Sequence, residues 1–458
     1  MMLKIKVVFL SCVLFTLIIC VCITHISPKT TRRSSPFAGK GPLHQTNNSD
    51  DRKAVIRNPD STHFSNYTTQ PEEPTRVLDE SDQLIANKQN STFGKVQRIA
   101  VNPWINQVTN NISSTRNDIS NKNCTPIIKI VFLKTHKTGS TTMASIFERF
   151  GYRRNLIFAL PRQKHVFKNS FFNKKFAIPI PQVLAKSHPH FDILDNHAVY
   201  YRPEMEKTVP NATYITILRD PVYQLESTFG YFEMAKGMGI SNYPNPFDTF
   251  MQNPHFYYNT TEYNAKWCSR NCQLHDLGFI NTKLFDNITA ILEKIDILDK
   301  EFDLVLLNEY FDESLILMRK QLCWNLDDII YISNAIRSKS HRYTISDQLK
   351  KKIRQWNAGD VLLYNHFNKT LWQKIKEYGS TFQADLEEFR RLEKEAFNRC
   401  VDPNAFDRHD GRVDTFILNP KHSGSYCQDL LRADVDYTSL LKQKMGENNS
   451  HAIISGRL

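Results

Sequence analysis

The stretch that most constrains the fold is residues 126–150. Ile127 to Leu133 form an apolar, β-branched run, followed by Lys134-Thr135-His136-Lys137-Thr138-Gly139-Ser140-Thr141-Thr142. Met143, Ile146, Phe147 and Phe150 then recur at i, i+3, i+4 and i+7, which is one face of a helix. A buried strand, a Gly-containing loop and a helix N-terminus together can hold a phosphate. Backbone N–H groups and the helix dipole favour an anion, and lysines add full charge. The Walker A spacing G-x-x-x-x-G-K-[ST] is absent, because the loop has one glycine and Lys137 precedes it. An anion-binding loop is therefore expected, but not that of an ATPase or GTPase. Taken alone, the segment also reads as a solvated, capped connection.

The rest of the body supports the first reading. Strand-like runs at 127–133, 182–186, 213–218 and 303–307 alternate with helical patterns at 140–150, 221–235, 311–323 and 346–376. Residues 384–399 read as a charged, exposed helix, and the last thirty or so show no clear pattern. The alternation predicts an α/β fold, with a mostly parallel central sheet flanked by helices and ligands at the carboxyl ends of its strands.

The N-terminal quarter reads differently. Residues 7–23 are uncharged and apolar, just long enough to cross a bilayer. A cleaved signal peptide is the alternative, but no small-x-small cleavage site follows the run. Lys4 and Lys6 precede the run and Lys29, Arg32 and Arg33 follow it, so charge does not set its orientation. Ten Asn-x-Ser/Thr sequons, Asn47 through Asn448, all lie after it and favour a lumenal body. The expected order is a cytoplasmic tail 1–6, a signal-anchor helix 7–24, a disordered, glycosylated stem 25–123, a folded domain 124–445 and a tail 446–458.

The formal net charge of +12 suits anionic ligands or membrane surfaces, but no Lys/Arg block is dense enough to argue for nucleic acid. Outside the apolar run stand six cysteines (124, 268, 272, 323, 400 and 427), enough for three disulfides in an oxidising lumen, with Cys268 and Cys272 the obvious local pair. A zinc site using those two with His275 is the competing reading; no second pair has ligand spacing.

A second constellation runs from Ile217 to Tyr231. Arg219 falls where an apolar strand ends, Pro221 suits a first helical turn, and Ser227 lies two turns further on. A guanidinium and a hydroxyl so placed could clamp one phosphate; a surface ion pair of Arg219 with Asp220 is the plainer reading. A Lys-Thr-Gly-Ser-Thr loop after one strand, with Arg and a Ser eight residues on after another, resembles the two donor sites of sulfotransferases. The match narrows at Phe132-Leu-Lys-Thr-His-Lys-Thr, Leu218-Arg-Asp-Pro, Asp276-Leu-Gly, Leu304-Val-Leu-Leu-Asn-Glu-Tyr-Phe-Asp-Glu-Ser314-Leu, Leu322-Cys-Trp and Tyr364-Asn-His-Phe-Asn368. These resemble the galactose 3-O-sulfotransferases, a group that includes the galactosylceramide sulfotransferase. Gly139 departs from that group's loop towards the wider sulfotransferase pattern.

The resemblance implies a P-loop-NTPase-like sulfotransferase fold. It also implies a Golgi type II membrane enzyme that moves sulfate from 3′-phosphoadenosine 5′-phosphosulfate (PAPS), without a metal, to the 3-hydroxyl of a β-galactose-terminated glycolipid or glycoprotein. Lys137, the N–H groups of Thr138, Gly139, Ser140, Thr141 and Thr142, and the hydroxyls of Ser140 to Thr142 would hold the 5′-phosphosulfate. Lys134 would face the transferred sulfate, and Arg219 with Ser227 would hold the 3′-phosphate. His136 is expected to be the general base and His188, after the 182–186 run, its partner; the reverse assignment is the alternative. Two rivals remain at this level. One is a Golgi sulfotransferase acting on a glycosaminoglycan; the other is a catalytically silent glycan-binding protein of the same fold.

Overall fold

In the computed structural model the described residues are 124–163, 166–333, 336–337, 342–409 and 413–454. The expected tail 1–6, membrane span 7–24 and stem 25–123 lie outside them. Among the described residues no helix is long and apolar enough to cross a membrane.

The strands in chain order are β1 (Ile130–Leu133), β2 (Val166–Phe171), β3 (Ile193–Leu194), β4 (His197–Val199), β5 (Thr213–Leu218), β6 (Leu304–Leu307), β7 (Ile336–Arg337), β8 (Val401–His409) and β9 (Val413–Leu418). The central sheet runs β3-β1-β5-β6, all parallel, with Ile130 opposite both Ile193 and Thr213 and Ile215 opposite Leu304. β1 is an inner strand whose four side chains are all buried, the pattern of a strand covered on both faces. β2 pairs with β4 in parallel, and β7, β9 and β8 form an antiparallel sheet.

The helices that matter for the site are α1 (Ser140–Arg153), α2 (Gln182–Ala185), α3 (Pro221–Tyr231), α4 (Cys272–Asp276), α5 (Phe311–Leu322), α6 (Asp347–Trp356), α7 (Ala358–Tyr378), α8 (Phe382–Cys400) and α9 (Asp434–Ile454). The mostly parallel sheet flanked by helices is as expected. Met143, Ile146, Phe147 and Phe150 of α1 are all buried in the main core. Three disulfides join Cys124 to Cys323, Cys268 to Cys272 and Cys400 to Cys427. The Cys268–Cys272 bond uses both thiolates that a zinc site would need.

Three expectations are corrected. Residues 182–186 are not a strand: they form the short helix α2 behind Pro181, and the strand beside β1 is Ile193–Leu194. Three apolar residues in a row, Val183 to Ala185, are too few for periodicity to tell helix from strand. The single helix expected over 346–376 is two, broken at Asn357, whose carboxamide accepts the Asn271 N–H at 2.7 Å and donates to the Ile353 carbonyl. The chain's end, expected to be patternless, carries α9. Its inward positions are Asp434, Tyr437, Thr438 and Leu441, all buried, and the two polar ones hide the helical period from a hydrophobicity reading.

Candidate donor and catalytic site

The loop between β1 and α1 is shaped by its own hydroxyls. Thr135 donates to the Ile217 carbonyl, its hydroxyl meets that of Thr138 at 2.8 Å, and Ser140 donates to the Thr135 carbonyl. Thr138 and Ser140 are buried, so the Ser140 hydroxyl expected to face a ligand instead holds the turn. Thr141 and Thr142 are half-buried. Gly139 has φ +82°, and a Cβ on it would stand 2.5 Å from Asn308 Nδ2, so a larger residue there must shift that side chain and hold a left-handed backbone. Lys137 also adopts a left-handed backbone, with φ 61°. No side chain caps the N-terminus of α1, leaving its first-turn N–H groups for an anion. In α3, by contrast, Asp220 accepts the Val222 N–H at 2.9 Å and pairs with Arg354 at 2.7 Å.

Cations gather around this loop. The Lys137 ammonium stands 3.8 Å from the centre of the Tyr231 ring. Burial, then the charges of Arg337, Arg219 and Lys134, lower its pKa to about 8. Arg219 donates through Nη1 to the Lys137 carbonyl at 3.2 Å, which ties the end of β5 to the loop. Its Nε is buried and has no hydrogen-bond partner. Ser227 is buried on α3 beside Glu226, which pairs with Arg337. Like charges held this close repel each other, and a polyanion would relieve that repulsion. The unpartnered Arg219 Nε and the uncapped α1 N-terminus therefore fit an anionic ligand.

Lys134, expected to face the transferred sulfate, is turned away. It is buried and ion-paired with Asp434 of α9, in a pocket shared with Glu148, Asp195, Asn196 and Thr438. Burial, opposed by Lys134, raises Asp195 to about 7, and burial with the charges of Asp195 and Asp434 holds Glu148 well above the usual range. A lysine in this setting balances charge behind the loop.

The imidazoles are sorted clearly. His136 donates its backbone N–H to Asp276 Oδ2 at 2.7 Å, and its Nδ1 lies 2.9 Å from the same oxygen. Burial alone would raise the Asp276 pKa, but His136 and then His275 hold it below its ordinary value. Gln224 holds the His136 carbonyl at 3.0 Å. The His136 ring stacks on His197 at 4.1 Å and meets Trp267 edge-on at 4.8 Å. His197 Nδ1 donates to the Lys134 carbonyl at 2.9 Å. His136, His197, Trp267 and Asp276, with Phe167, Ala198, Val199 and His275, line a small cavity. His188, expected as the partner, is exposed after α2, its N–H on the Leu184 carbonyl and its ring 3.0 Å from the Ser187 hydroxyl. It follows a helix rather than a strand end, and the structure brings His197 to His136 in its place.

His197, Asp276 and Trp267 are absent from the residues singled out as site residues by sequence. The signal for Asp276 lay in Asp276-Leu-Gly278: Gly278 has φ +87°, and a Cβ there would meet the Tyr200 carbonyl at 2.7 Å. Among the described residues no group of three or more His, Cys, Asp or Glu side chains could hold a metal.

The galactose-3-O-sulfotransferase family model matches residues 73–440. Mouse galactosylceramide sulfotransferase is 36% identical over 282 residues, 61% of this chain and 65% of the relative, so the match spans just under two thirds of that protein. Mouse galactose-3-O-sulfotransferase 2 is 34% identical over 312 residues, 65% of this chain and 76% of the relative. Human galactose-3-O-sulfotransferase 3 is 34% identical over 301 residues, 64% and 67% of the two chains. With the family model covering most of its length, the chain belongs to the galactose-3-O-sulfotransferase family.

Proposed function

We propose that the protein transfers the sulfuryl group of PAPS to the 3-hydroxyl of a terminal β-galactose on a glycolipid or glycoprotein glycan. The observation that carries this reading is the convergence of Lys137, Arg219 and the uncapped α1 N-terminus beside a carboxylate-held histidine, in a chain of this family. Lys137 and the first-turn N–H groups of α1 bind the 5′-phosphosulfate, and Arg219 with Ser227 binds the 3′-phosphate. His136 is the general base. Asp276 fixes its Nδ1–H, which leaves Nε2 to take the proton of the galactose hydroxyl. That oxygen then forms a bond to sulfur as the bond from sulfur to the 5′-phosphate oxygen breaks. Lys137 stabilises the charge left on the departing phosphate. His197, stacked on His136, lines the acceptor side. The three disulfides and ten sequons support a lumenal, type II placement in the Golgi membrane.

Replacing His136 with Asn tests the assignment. The full-length variant should bind 3′-phosphoadenosine 5′-phosphate (PAP) as the parent does and lose sulfate transfer by about 10²–10⁴-fold. Turnover within a few-fold of the parent would remove His136 from the mechanism.

A further inference from the structure

α4 reaches both halves of the site. Gln273, fully buried, accepts the Arg219 N–H at 2.8 Å through Oε1 and donates from Nε2 to the Arg219 carbonyl at 2.9 Å. Its carboxamide thus takes both peptide groups of Arg219, one residue past the end of β5 at Leu218. Three residues on, along the same side of the helix, Asp276 holds His136. α4 is itself pinned at its start. Asp360 of α7 accepts the N–H groups of Gln273 and Leu274 at 3.0 and 2.9 Å, and Asn357 accepts that of Asn271. The Cys268–Cys272 bond ties the helix to the preceding turn.

A guanidinium that leaves a strand end is aimed by its backbone, and the β5 ladder no longer constrains Arg219. Gln273 supplies that constraint from the side, as a neighbouring strand would. We propose that Gln273 is a positioning residue for the donor site: it fixes the Arg219 backbone so that the guanidinium meets the 3′-phosphate, and shares one short helix with the carboxylate that aims the base. The proposal rests on the reading of Arg219 as the 3′-phosphate clamp.

The test compares PAP with AMP, which lacks the 3′-phosphate, by titration calorimetry on the full-length chain. Gln273→Met keeps the volume and removes both hydrogen bonds. It should weaken PAP about tenfold, in line with two lost hydrogen bonds and a mis-aimed ion pair, and leave AMP unchanged. In an Arg219→Ala background it should weaken PAP no further, since its effect passes through Arg219. Gln273→Glu gives a second variant: when protonated it offers the same acceptor and donor, so its PAP affinity relative to the parent at the same pH should recover at acidic pH and fall at alkaline pH. Equal weakening of PAP and AMP, or an undiminished Gln273→Met effect without Arg219, would overturn the proposal. If Arg219→Ala leaves the PAP/AMP ratio intact, the clamp reading itself fails. If Arg219→Ala collapses the ratio and Gln273→Met does not change it, only the role of Gln273 fails.

Discussion

Lys137 gives the sharpest prediction, because its charge serves binding at the expense of stability. An ordinary lysine titrates at 10.5, whereas Lys137 is lowered to about 8 by burial and then by Arg337, Arg219 and Lys134. At about 1.36 kcal/mol per pH unit, keeping it charged in the ligand-free fold costs about 3 kcal/mol. The Tyr231 ring already returns part of the solvation the ammonium lost. Below pH 8 the lysine is protonated in both folded and unfolded chains and the full penalty stands. Between about 8 and 10.5 the unfolded chain binds a proton that the fold does not, so this group makes stability rise with pH. Lys137→Met should therefore stabilise the ligand-free protein at pH 7 by about 1–3 kcal/mol, with the gain vanishing above pH 10.5. In the parent chain, PAP binding should weaken as pH rises through about 8, and the variant should bind PAP weakly at every pH. Urea unfolding and PAP titration at pH 7, 8 and 9.5 measure both effects. A variant less stable than the parent at pH 7, or parent PAP affinity flat from pH 7 to 9.5, would refute the reasoning.

Other outcomes follow from the same geometry. Removing Lys134 strands the buried Asp434 carboxylate and takes away the charge that lowers Asp195 and Glu148, so Lys134→Met should destabilise by about 3–5 kcal/mol in urea unfolding, more than Asp434→Asn does. Asp195 is raised to about 7, so between its unfolded value and 7 the fold holds the extra proton. Its contribution to stability is lost as pH rises through that window, and Asp195→Asn should flatten the dependence in melting curves at pH 5 to 8. His197→Ala should cut sulfate transfer at least a hundredfold while His188→Ala stays within about threefold, measured as initial rates at saturating donor. Gly139→Ala must displace Asn308 and strain a left-handed backbone, so it should raise the donor KM about tenfold or more.

How much of this was legible in the sequence depended on the kind of residue. β1, β5, β6 and α1 could be read because continuous apolar runs and a 3.6 period mark them directly. The nearness of Lys137 and Arg219 could be read because each follows one of two strands that pair in parallel. The surroundings of His136 could not: His197 stands on β4 and Asp276 and Gln273 on α4, both far from the loop in sequence, and only the tertiary fold brings them to it. Lys134 misled for a related reason. Nothing near it in sequence announces Asp434, three hundred residues on, in a helix whose inward face is half polar. His188 misled because a short run behind Pro181 carries no period to separate strand from helix.

The most direct test of the central claim is sulfate transfer by the full-length chain from ³⁵S-labelled PAPS to galactosylceramide, lactosylceramide, N-acetyllactosamine, a core 1 glycan and heparan. The account predicts label on the 3-hydroxyl of a β-galactoside, abolished in Lys137→Ala. Label on heparan alone, or none on any acceptor while PAP binds tightly, would contradict it.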